Sequence, residues 1–89
     1  MDLLRPQHWR WRLNWRRVSV PQGVSAEAAH AATLPDGNVV FVVFDSLAHP
    51  TPARARAPGL AWGAPVFTST MAAKRWVAEQ VGATPEGDL

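Results

Sequence analysis

Arginine and tryptophan take alternate places in the segment HWRWRLNWRR, residues 8–17, which sets Arg10, Arg12 and Arg16 among Trp9, Trp11 and Trp15, with Arg17 behind them. A guanidinium keeps its charge and pairs in a forked geometry with phosphate or carboxylate, while an indole offers a broad stacking surface. On an extended chain every second side chain shares a face, so neighbouring members of such a row stand about 6.6–6.8 Å apart. That is comparable with the interval between phosphates on a nucleic-acid backbone. The chemistry indicated is recognition of an anion. Arg54 and Arg56 in TPARARAPG, then Lys74 and Arg75, supply further cations for the same purpose. Two other uses fit the alternation: a solvated outer face with Arg stems shielding apolar surface, and a membrane-surface peptide. The membrane use suffers because a strand covered by its own domain has no free apolar face to insert.

Catalytic chemistry finds little footing. Asp45, Ser46 and His49 bring a carboxylate, a hydroxyl and an imidazole within five residues. A working triad needs such groups to converge from a rigid frame beside an oxyanion site. Here they run into a proline-rich stretch, where Asp and Ser serve as turn formers bonded to nearby backbone. His8, His30 and His49 follow no metal-ligand spacing, and cysteine is absent. The six glycines are scattered and make no phosphate-cradling loop. The expectation is a protein with no catalytic residues, no metal and no cofactor.

Charge is segregated along the 89 residues. Five Arg oppose Asp2 within 1–17, and Arg54, Arg56, Lys74 and Arg75 lie within 54–75. The stretches between and after these carry Glu27, Asp36, Asp45, Glu79, Glu86 and Asp88. Such clustering favours an anionic partner more than the net charge of +2 does. The length suits a single domain over 1–89 with a thin core. The longest apolar run, VVFVVF, is far short of the ~20 residues that span a bilayer, and no signal-peptide pattern opens the chain. The expected location is the cytoplasm, away from membranes.

The elements that must position these residues follow from periodicity. Residues 8–18 alternate with period two and predict a strand with its Trp side inward. LPDGN marks a turn, with Pro35 presetting φ and Gly37 supplying a positive φ. It joins a small-residue strand over about 28–34 to a β-branched and aromatic strand over about 38–45. Residues 46–65 carry four prolines within SLAHPTPARARAPGLAWGAP and predict a loop, anchored near its end by Trp62 and followed by a short edge strand at 65–67. A helix is predicted over about 69–81, capped by Ser69 or Thr70 and stopped by Gly82; its Ala73, Trp76, Val77 and Val81 face inward. A frayed tail covers 83–89. The fold class is α+β: a small antiparallel sheet of three to four strands with one C-terminal helix packed on one face.

In VVFVVF both faces are apolar, yet one helix covers one face. Val40, Val42 and Phe44, with Trp62, are therefore candidates for a protein-partner surface: a second copy of the chain in a homodimer, or a host protein. A hairpin around a DG turn, then VFTSTMAAKRW opening a helix, resembles the three-stranded-sheet-plus-helix DNA-binding domains typified by plant AP2 domains and by the arm-binding domains of phage integrases. It also resembles small accessory proteins of phages and mobile elements. Gly37, Phe67, Thr68, Ala73 and Trp76 carry the likeness, across roughly 28–80. It implies a basic sheet face docked on nucleic acid or a nucleoprotein through Arg10, Arg12, Arg16 and Arg17, with Lys74 and Arg75 at its rim. The second expectation is an inhibitor or assembly factor that binds a host defence or nucleic-acid-processing complex through protein contacts alone.

Overall fold

The computed structural model describes residues 12–83. Within them the chain forms β1 (Arg16–Val18), β2 (Ala28–Thr33), β3 (Val39–Phe44), β4 (Ala53–Arg56), β5 (Val66–Phe67) and α1 (Thr70–Val81). The strands make one antiparallel sheet in the order β1-β2-β3-β4-β5, and α1 packs on β3, β4 and β5. The α+β class and the single C-terminal helix match the sequence expectation. The sheet has five strands rather than three or four.

The β2–β3 hairpin is built by its turn residues. Gly37 N–H donates to the Leu34 carbonyl at 2.9 Å, and Leu34 N–H to the Asn38 carbonyl at 2.7 Å. Gly37 adopts φ 94°, a region that L side chains enter at a cost, which is why glycine stands there. Asp36 accepts the Asn38 backbone N–H at 2.9 Å and closes the turn from outside.

The helix begins and ends where its caps dictate. Ser69 Oγ accepts the Ala72 N–H at 3.1 Å, and Gly82 at φ 76° ends the helix in a left-handed conformation. Ala73, Val77 and Ala78 are buried, while Trp76 and Val81 pack partly buried beside them. Small side chains on both layers bring helix and sheet close: Ala32, Ala53 and Ala55 lie opposite Ala73 and Ala78 in the core. The larger Trp15, Trp62, Phe67 and Trp76 surround that centre. Trp62 meets Trp76 edge to face, with centroids 5.3 Å apart, so it does anchor the end of its loop.

Three expectations about boundaries are corrected. The strand expected over 8–18 comprises Arg16–Val18 among the described residues, and residues 12–15 are not strand. Trp9, Arg10 and Trp11 lie outside the described residues, as does the tail from 84. Leu13 is nevertheless buried and Trp15 half-buried, with Arg12 and Asn14 exposed between them. The segment 46–65 is not simply a loop. It holds a 3₁₀ turn at Ser46–Ala48 and the whole of β4, whose ARAR sequence alternates buried Ala with half-buried Arg.

The third correction concerns which side of β3 is covered. Val42 pairs with His30 and Ala55, Val40 with Ala32, and Phe44 with Ala28 and Ala53. These residues share the face that receives the helix, and Val40 and Val42 are fully buried there. The opposite face carries Val39 and Phe41, which are half-buried, and Val43, which is fully buried. Phe44 is half-buried on the helix side. Val40 and Val42 are thus core residues and Trp62 packs against the core, rather than forming an uncovered partner surface.

Candidate nucleic-acid interface

Register places one row of side chains across the open face. Arg16 of β1 pairs with Ala31 of β2, Ala31 with Phe41 of β3, and Phe41 with Arg56 of β4. Strands lie about 4.8 Å apart, so Arg16 and Arg56 bracket Phe41 at roughly 10 Å and 5 Å. Phe41 is half-buried, Ala31 is a low floor beside it, and Arg16 is exposed. An aromatic ring with a guanidinium on either side offers a stacking surface and two phosphate contacts. Among the described residues, neither Arg16 nor Arg56 forms an ion pair with the chain's own carboxylates.

The next row runs Val18, Ala29, Val43, Arg54 and Val66. Its middle is closed. Arg54 reaches across it and donates from Nη2 to the Ser25 carbonyl at 2.8 Å, while its Nε is buried without a partner. Val43 and Ala29 are buried in this row, and Ala31 is buried in the neighbouring one. Arg54 ties the connection between β1 and β2 onto the sheet, so its first role is structural.

The remaining cations predicted for the surface divide. Arg17 pairs with His30, which places it on the helix side of the sheet, opposite to Arg16. Lys74 lies there too, its ammonium 5.6 Å from the Trp15 ring centroid. Burial pushes the Lys74 ammonium down from its usual range. His30 is also held below the ordinary imidazole value, first by burial and then by the Lys74 and Arg17 charges. Arg75 is exposed on the outward side of α1, and Arg12 is exposed ahead of β1. Arg10 lies outside the described residues. The single basic face anticipated from the sequence is therefore two faces joined at the β1 edge.

Phe41 was not among the candidate residues. The sequence signal that points to it is ARAR: if Ala53 and Ala55 turn inward, Arg54 and Arg56 turn outward, and pairing carries Phe41 with them. His30 gave no spacing signal at all.

Asp45, Ser46 and His49 have local duties. Asp45 accepts the Leu47 N–H at 3.0 Å and caps the 3₁₀ turn. The Ser46 hydroxyl donates to the Glu27 carboxylate, and His49 is exposed before a cis bond to Pro50. Among the described residues no three His, Asp or Glu side chains gather as metal ligands, and no helix is long and apolar enough to cross a membrane. No protein-family model, curated protein or solved structure matches the chain.

Proposed function

We propose that this protein is a non-catalytic binding module that docks the open face of its sheet on nucleic acid, free or within a nucleoprotein. The observation that carries the reading is the Arg16–Ala31–Phe41–Arg56 row, an aromatic flanked by cations that have no acidic partner among the described residues. A solvated outer face accounts for Arg16 alone. It gives no account of a half-buried phenylalanine on the side of the central strand away from the helix, between two arginines. Stacking on Phe41 requires a base free of its pair, so unpaired strands and loops bind more tightly than a uniform duplex.

Amide chemical-shift mapping with a short unstructured oligonucleotide tests this. Perturbations centred on Arg16, Thr33, Val39, Phe41 and Arg56 support the reading. Perturbations confined to the outer surface of α1, or none at millimolar oligonucleotide, reject it.

A further inference from the structure

The helix side of the sheet holds a second cluster of cations with a different character. Arg17 and His30 are direct cross-strand partners, and Lys74 comes down on the same corner from α1. Lys74 lies over the Trp15 ring, where its ammonium has lost part of its water. The Trp15 indole N–H is itself buried with no acceptor. Arg17, Lys74 and the Trp15 indole thus bring two cations and a donor to this corner. Among the described residues, no carboxylate pairs with Arg17, His30 or Lys74. His30 is faced by Arg17 from β1, by the uncharged Val42 from β3, and by Lys74 from α1.

Arg17 and Lys74, joined by His30 when it takes up a proton, destabilise one another unless something negative joins them. The fold supports the arrangement with a rigid floor: Arg17 and His30 stand on paired strands, and Lys74 is one turn into a capped helix. An ammonium acts as a point charge, a guanidinium as a fork, and an imidazolium as a single directed donor. Together they match the oxygens of a tetrahedral dianion better than the two oxygens of a carboxylate.

We propose that Arg17, His30 and Lys74 form a binding site for a phosphate group at the β1 edge, on the face opposite to Phe41. The site does not rest on the nucleic-acid reading, because a free phosphate would satisfy it. Binding draws a proton onto His30: the dianion stabilises the imidazolium that Arg17 and Lys74 otherwise disfavour. Three sources of the group share this chemistry: inorganic phosphate, the terminal phosphate of a strand, and a backbone phosphate carried round the edge from Arg16 to Arg17.

The test follows the His30 ring resonance of the full chain at constant pH while inorganic phosphate is added, against sodium chloride at equal ionic strength. Salt alone also moves the resonance towards the protonated position, since it screens Lys74 and Arg17. Phosphate is expected to move it at least about twofold further, and saturably, because it binds rather than screens. Lys74→Met and the exposed Arg17→Gln each remove the excess, and Lys74→Arg retains it. Equal movement by phosphate and chloride overturns the site, as does an excess that survives both Lys74→Met and Arg17→Gln; Arg17→Gln decides alone should Lys74→Met fail to fold. With the site established, an oligonucleotide bearing a 5′-phosphate and its unphosphorylated twin assign the source. Lys74→Met weakens only the phosphorylated strand for a terminal phosphate, both strands equally for a backbone phosphate, and neither for a free phosphate.

Discussion

Arg16 and Arg17 are neighbours in β1 and face opposite sides of the sheet: Arg16 stands beside Ala31 on the open face, Arg17 beside His30 under the helix. An outermost strand is where such a pair can serve two surfaces at once. The open face presents Phe41 between Arg16 and Arg56, and the helix side presents Arg17 with His30 and Lys74. The consequences below separate what each surface does.

Phe41→Ala should weaken binding of an unpaired oligonucleotide by about 1–3 kcal/mol, the usual worth of one stacked base. Phe41→Trp should retain or improve it. Fluorescence anisotropy measures both, and the salt dependence should be the same as for the unaltered chain, because no phosphate contact is removed.

Arg16→Gln and Arg56→Gln should each flatten the salt dependence by about 0.7 on a single strand, since each removes one neutralised phosphate. Thermal stability should change little for Arg16→Gln, whose side chain is exposed. Arg54→Gln should behave otherwise. It breaks the bond to Ser25 and lowers stability by about 1–3 kcal/mol, as expected for losing a charged donor from a backbone carbonyl.

Val42→Ala should lower folding stability by roughly 2 kcal/mol, because it opens space in a closed core under the helix. The affinity of the folded fraction should be unaffected. Denaturant melts and anisotropy on the same samples distinguish this outcome from a binding defect, which is what an uncovered surface at Val40 and Val42 would have produced.

Stability should fall on acidification below about pH 6.5 in a way that depends on His30. Its folded-state value lies below the ordinary 6.5, so the unfolded chain takes up the proton first. Stability from this group is present above pH 6.5 and is lost as pH falls towards the folded value. His30→Gln should remove that component of the pH profile, and Lys74→Met should diminish it by taking away one of the opposing charges.

The helix and the hairpin were legible because their signals are local. Ser69 and Gly82 bracket the helix with caps that act on their own backbone, and Pro35, Asp36 and Gly37 write the turn. β4 was hidden by punctuation. Pro50, Pro52 and Pro58 read as loop, and they masked four residues whose A-R-A-R alternation was the strand signal. The covered side of β3 could not be read from VVFVVF, which is apolar in both parities. Only its register with Ala55 and Arg56 settles which side the helix takes. The basic surface was legible as a composition, but not its division between two faces. That division depends on Arg17 meeting His30, and a pairing across a connection of nine residues leaves no mark in either strand.

The salt dependence of oligonucleotide binding tests the central claim most directly. With Arg16, Arg56 and at least one further cation on phosphates, log K for an unpaired strand should fall linearly with log salt at a slope of about −2 or steeper. A slope near zero would contradict phosphate docking, whatever the affinity.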